Sequence, residues 1–451
     1  MKFIKFFLPI FLLIFSFNVF SSSLNLAEVY EIALKEDPEL KIAQATYKAN
    51  KEAKAKGIAG LLPTITTRAT TNWNESEVIK GASVTYDQVG SQGNNSHSYS
   101  ADLVQPIFRL DRWFQFGQGR VMSNIAKAQF SHAQQETILR VTETYFNLLE
   151  AKKDLEVAKS EEAAIKKQRD RSKRLFEEGV SSVTEFQEAQ AYYDLSKVST
   201  IAGEGRLEFS REALIAIIGE APELADLNQD FPVGPPNPKS QEEWVGLALS
   251  NNFLLQAARL STRAAKRNAQ SKLSNHLPNV DLVGNITRNT SRSISSFDTN
   301  GFSFDESEIE NTRYSLQFSW PLMAGGLISS ERREAYALLE KAKQEETLAE
   351  RSTIRDVKSR FSSVLTNLAN VEARKQALKS SELALKATRF GYESNTRNIV
   401  DLLNAEKSFF SAQRDLNSAR YDFILSEFAL KIASGSLSPR DVYDLSNFMT
   451  K

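Results

Sequence analysis

The residues of this chain that could do chemistry are few and far apart. Its three histidines, His97, His132 and His276, fall on a predicted strand, a helix and a pre-strand turn. No His-Glu-x-x-His run joins two of them into a zinc site. Asp305, Glu306, Glu308 and Glu310 offer oxygen ligands to a hard cation such as Ca²⁺, although the same cluster suits a solvated loop. Gly325-Gly326 separates a predicted strand from a predicted helix. Without a following Lys-Ser/Thr pair it reads as a bend, not a phosphate loop. Cysteine is absent, which excludes thiol catalysis, disulfides, Cys-based metal sites and a lipid-modified N-terminal cysteine. The chain is therefore expected to be no enzyme and to bind no cofactor.

Residues 1–23 read as a signal peptide. Lys2 and Lys5 precede the apolar run Phe6 to Phe20, and Ser21 to Ser23 supply small residues for cleavage. Lys plus Arg equal Asp plus Glu at 56 each, so no basic excess points to nucleic acid. After the signal, no apolar stretch approaches the roughly 18 residues that a helical span needs. An exported chain of this kind can enter a membrane only as a β-barrel.

The elements that must position any site occur twice. Ala33-Leu34, Leu40, Ala43 and Leu62-Pro63 recur as Ala248-Leu249, Leu255, Ala258 and Leu277-Pro278, each 215 residues later. Pro106 recurs as Pro321. Val141, Tyr145, Leu149, Phe176, Val183 and Ala189 recur 216 residues later as Val357, Phe361, Leu365, Tyr392, Ile399 and Ala405. An internal duplication follows. Its expected parts are repeats over 24–219 and 241–435, a Pro-rich linker over 220–240 and a C-terminal tail over 436–451.

Each repeat reads helix, strand pair, very long helix, shorter helix. Strands are expected over about 64–74, 97–107, 280–286 and 314–320, with polar loops at about 75–96 and 290–311. Tyr314, Leu316, Phe318 and Trp320 alternate with Ser315, Gln317 and Ser319. That pattern fits a transmembrane hairpin and equally a soluble one. The long helices are expected near 112–177 and 325–391. Ile354, Val357, Phe361, Val364, Leu368, Val371, Leu378 and Leu385 keep coiled-coil spacing, with Lys375 and Glu382 in the two remaining seam positions. Shorter helices are expected near 25–60, 184–218, 240–276 and 398–434. Four strands cannot close a barrel, so the chain must share one with other copies.

The duplication, the Pro-ended strand pairs and the segment from Tyr392 through Arg397, Asp401 and Asn404 to Ala405 resemble the TolC-type outer-membrane efflux and secretion channels. The resemblance covers the whole mature chain. It implies a mixed α+β membrane protein of the Gram-negative outer membrane. The implied assembly is a homotrimer whose 12-stranded β-barrel, four strands per chain, continues into a periplasmic α-helical coiled-coil barrel. Its implied partners are outer-membrane lipid, a periplasmic adaptor and an inner-membrane pump of RND or ABC type. The implied function is a passive exit duct for drugs, small toxic molecules or secreted polypeptides. Tyr392 and Arg397 match gate positions, with Thr184 and Glu185 as their implied partners. Asp401 matches the outer of two constricting aspartates. Asn404 departs from the pattern by removing the charge of the inner one, and Glu185 stands where an aspartate is usual. A periplasmic structural or adaptor protein and a constitutively open porin are the competing readings.

Overall fold

The computed structural model describes residues 23–78, 90–220, 222–228, 231–297, 301–394 and 396–450. All but the last residue of the signal-peptide reading lies outside them. The first copy carries α1 (Leu26–Glu36), α2 (Pro38–Lys51), α3 (Ala53–Ala59), β1 (Thr64–Val78), β2 (Gly90–Phe108), α4 (Leu110–Glu177) and α5 (Val183–Ile218). Between the copies lies β3 (Asp226–Leu227). The second carries α6 (Gln241–Asn251), α7 (Phe253–Ser274), β4 (Asn279–Phe297), β5 (Gly301–Ser319), α8 (Leu327–Glu393) and α9 (Ile399–Ser434). A short α10 (Pro439–Ser446) and β6 (Met449–Thr450) follow.

The four long strands form one antiparallel sheet in the order β1-β2-β4-β5, leaving β1 and β5 as its edges. Register puts Ile65 beside Leu103, Leu103 beside Gly284, and Gly284 beside Tyr314. One face therefore shows Ile65, Leu282, Ile286, Tyr314, Leu316 and Phe318, all exposed. The other face is polar: Asn285 donates to Asp102 at 2.6 Å, and Ser98 donates to Asn289 at 2.6 Å. A dry outer face and a wet inner one are what a barrel wall in lipid requires.

The strands run further than the alternation predicts. Much of the stretch expected as a loop over 290–311 is strand, and β2 begins at Gly90. A membrane span needs only about 9–11 residues, so the distal halves stand beyond the lipid, where neither face must be apolar. Pairing there is carried by polar groups. Arg288 pairs with Glu308, Arg292 with Glu306 at 3.4 Å, and Ser291 donates to Asn94 at 3.0 Å. Glu306 and Glu308 of the candidate cation cluster are thus held by arginines.

The helices expected over 25–60 and 240–276 are each broken. In the first copy Asp37 accepts from the Glu39 amide at 3.0 Å and Pro38 opens α2. At the same place in the second, Asn252 accepts from the Leu255 amide at 2.9 Å and donates to the Ala433 carbonyl at 2.9 Å. Proline explains one break; an Asn cap makes the other. Gly325 and Gly326, at φ +57° and +84°, form the strand-to-helix bend.

With 68 residues, α4 is about 100 Å long at 1.5 Å per residue. Near its middle, Val141, Tyr145, Phe146 and Leu149 pack with Val29 of α1, Trp244 of α6, Val357 and Phe361 of α8, and Phe423 of α9. The inter-repeat segment and the C-terminal segment close over this core. β3 pairs with β6, Tyr145 donates to the Ala225 carbonyl at 2.7 Å, and Lys153 meets Asp226 at 2.6 Å. No helix among the described residues is long and apolar enough to cross a membrane.

Candidate functional site

At the far end from the sheet, α4 turns into α5 and α8 turns into α9. The two turns share one backbone pattern. Val180 and Ser181 amides donate to the Leu175 carbonyl at 2.8 and 3.1 Å; Thr396 and Arg397 amides donate to the Gly391 carbonyl at 2.9 and 3.2 Å. Each short helix is then capped alike. The Ser182 hydroxyl accepts from the Glu185 amide at 3.3 Å, and Asn398 accepts from the Asp401 amide at 2.7 Å. Glu185 and Asp401 are therefore equivalent first-turn acids, placed where the helix dipole favours negative charge.

Apolar packing fixes the second turn against the first. Ile399, Leu402 and Leu403 are buried with Ile165 of α4, Ala189 of α5 and Leu385 of α8. That stripe at i, i+3 and i+4 turns Asp401 and Asn404 to the other side of α9. A cavity of about 700 Å³ lies between the turns, lined by Arg171, Glu185, Tyr392, Arg397, Asn398 and Asp401 among others.

Within one chain, the expected gate residues are brought together only in part. Arg397 meets Asp401, four residues on, at 3.8 Å. Thr184 is exposed and does not line the cavity. Asn404 accepts from the Tyr192 hydroxyl at 2.7 Å, which ties α9 to α5. Tyr392 is half-buried, and the Arg171 guanidinium lies over its ring at 5.2 Å from the centroid. Burial raises the Tyr392 phenol above its ordinary pKa, with Arg171 opposing and Glu185 adding to the shift.

Above the cavity sits a charged cluster absent from the sequence reading. Glu406 is 1 % exposed; Arg389 of α8 approaches it at 3.2 Å and Gln168 of α4 at 3.4 Å. Buried Glu161 of α4 takes Arg414 of α9 at 2.8 Å. A signal for Glu406 existed, because it follows Ile399, Leu402 and Leu403 at the next position of their apolar stripe. For Arg171 there was none: a helix-surface arginine has no distinguishing spacing. Burial raises the Glu406 carboxyl above the usual range, against the pull of Arg389 and Gln168 and with a push from Glu161.

A lipid-facing sheet with two open edges, continuous with rods of this length that end in polar turns, defines an outer-membrane exit duct. The family described as outer membrane efflux protein matches residues 29–220 and 244–436, one stretch in each copy. The outer membrane protein TolC of Vibrio cholerae is 31% identical over 423 residues, covering 94% of this chain and 93% of that protein. The alkaline protease secretion protein AprF of Pseudomonas aeruginosa is 26% identical over 93% of this chain and 86% of its own length. The crystal structure of CusC superposes with a TM-score of 0.75 at 16% identity, covering 92% of each chain, and shows the same fold. The chain belongs to the outer membrane efflux protein family. It is a TolC-type channel of the Gram-negative outer membrane, an exit duct for efflux or type I secretion. Its relatives are channel proteins, not enzymes.

Proposed function

We propose that the chain works as a homotrimer of two-repeat protomers (24–219 and 241–435, joined through 220–240), closed at the periplasmic end by its helical turns. The observation that carries this is the four-stranded sheet with β1 and β5 at its edges. Open edges are not tolerated in lipid, and three copies give a twelve-stranded barrel whose lumen can conduct. The duct is passive, and energy comes from an inner-membrane pump of RND or ABC type joined through a periplasmic adaptor. Cargo is a drug, a small toxic molecule or a secreted polypeptide.

The gate is read at Tyr392, Arg397, Thr184 and Glu185 and the constriction at Asp401 and Asn404, supported by the cavity that Tyr392, Arg397, Glu185 and Asp401 share. A threefold set of Asp401 gives one ring of carboxylates, which favours cations. Asn404, held by Tyr192, adds no second ring. Cysteine pairs introduced along β1 and β5 of this cysteine-free chain should cross-link into a ladder ending at three copies; a ladder ending elsewhere rejects the trimer. In planar bilayers, Tyr392→Leu with Arg397→Ser should raise a small, cation-preferring conductance several-fold. An unchanged conductance removes the gate from these residues.

A further inference from the structure

We propose that the waist of each protomer carries a binding site for a small aromatic carboxylate, a single ring bearing one carboxyl group, between α4, α5 and the inter-repeat segment. A cavity of about 140 Å³ lies there. Leu148 and Leu149 of α4, Leu207 of α5 and Leu224 of the inter-repeat segment give it apolar walls, and Lys152 and Arg211 also line it. An engineered apolar cavity of about 150 Å³ takes up benzene, so one ring is the size this space admits. A ring also fills it without freezing the rotatable bonds that an alkyl chain of equal volume loses. Glu223 is the acid in the lining, and it already faces Lys152 at 3.7 Å. Two cations against one anion leave the lining positive, and the planar fork of exposed Arg211 suits a carboxylate.

The walls are held by the chain's own backbone. The Leu24 amide donates to the Glu223 carbonyl at 2.8 Å and the Ala225 amide to the Leu24 carbonyl at 2.9 Å, which bridges Leu24 to Leu224. Leu148, Leu149 and Leu224 are buried in the central core. The site is thus formed before a ligand arrives, as ligand sites usually are. It is also turned away from the contact between protomers. On α5, Leu207, Arg211 and buried Leu214 share one side. Exposed Leu195, Val198, Ile201 and Phe209 lie within about 60° of the opposite side, at about 100° per residue. That exposed apolar stripe is what a neighbouring copy must cover, so closing the helical barrel leaves the cavity to its own chain. A ring acid seated in it joins the inter-repeat segment to both helices of the first hairpin.

Binding of benzoate to the full oligomer is measured by isothermal titration, with benzyl alcohol and hexanoate in parallel. Gel migration of the unheated oligomer checks assembly of every variant. Benzoate should saturate at one per chain and slow limited proteolysis within residues 220–240. Benzyl alcohol, which keeps the ring and loses the charge, should bind about tenfold more weakly. Arg211→Gln should weaken benzoate by a similar factor and leave benzyl alcohol unchanged, and Leu207→Trp, which fills the cavity, should abolish both. Benzoate binding that neither substitution alters lies elsewhere and rejects the site, as does the absence of saturable binding. Hexanoate binding as tightly as benzoate, and lost in Leu207→Trp, makes the occupant an acyl chain and rejects the ring. If Leu207→Trp fails to assemble, Arg211→Gln decides, since an unchanged benzoate affinity there overturns the proposal by itself.

Discussion

The two hairpin tips are copies of one another in backbone and opposites in how they are held. Both close through paired amides on one carbonyl, and both cap the following helix with a side chain whose target is a first-turn acid. In the first tip, Phe176 stacks on Phe186 of its own hairpin, with ring centroids at 6.1 Å and planes 5° apart. The second replaces these, 216 residues on, with Tyr392 and Leu402. Leu402 turns inward to the buried cluster, and Tyr392 leans across to Arg171 of the first hairpin. Duplication has supplied two equal frames, and side-chain exchange has made one self-sufficient and the other dependent on its neighbour. A tip that depends on a neighbour is one that can be released from it.

The long rods differ in the same sense. Of its 68 residues α4 buries 21 within the chain, whereas α8, with 67, buries only seven among the described residues. Leu348, Leu365 and Leu383 of α8 are exposed, as are Leu195, Val198 and Phe209 of α5. The first rod is packed more fully within the chain; the second leaves more of its length exposed.

The contrast between the tips can be broken most forcefully at Leu403, which is 0 % exposed beneath the second tip. Leu403→Ala should destabilise the α8–α9 end by about 2–5 kcal/mol, seen as faster limited proteolysis there than at the α4–α5 turn. Equal loosening of both tips would mean they form one unit. Phe186→Ala should cost about 1–2 kcal/mol, from half-buried aromatic area and the lost stack. It should loosen the first tip while leaving conductance unchanged; a rise in conductance would end the distinction.

A gentler probe is Glu406. Burial holds its carboxyl above the usual range, so the folded state takes up this proton before the unfolded chain does as pH falls. The burden on folding is complete at neutral pH and relieved on acidification through the raised pKa. Glu406→Gln should therefore raise the unfolding temperature at neutral pH, and the gain should vanish in acid. A gain independent of pH would assign it to packing. Smallest are the caps, where removal costs typically about 1 kcal/mol. Asn398→Ala, losing a bond of 2.7 Å, should exceed Ser182→Ala, losing one of 3.3 Å, in the same proteolysis assay.

Much of this was legible because hydrophobic periodicity repeats. The long helices begin and end within two residues of their expected limits, and the Pro-ended strands fall where alternation places them. The break at Asn252 was harder to see than that at Pro38, because an asparagine inside an amphipathic run is no obstacle until its side chain turns to cap. The distal strands were illegible for a different reason. Beyond lipid both faces meet water, so alternation, the only strand signal, has no cause there. At the tip, the acids were visible through the resemblance, but the Arg171–Tyr392 contact depends on the relative rotation of two helices from different repeats.

The pairing of β4 with β5 up to Phe297 and Gly301 has a consequence outside transport. Residues 290–297 and 301–311 meet the extracellular world as a paired sheet, not as slack chain. An antibody approaching the cell finds Arg288, Arg292, Glu306 and Glu308 at fixed strand spacings, with opposite charges side by side. Such a surface is a conformational epitope, set by the pairing of two neighbouring strands, and an antiserum raised against an unpaired linear peptide from it will recognise the folded sheet poorly.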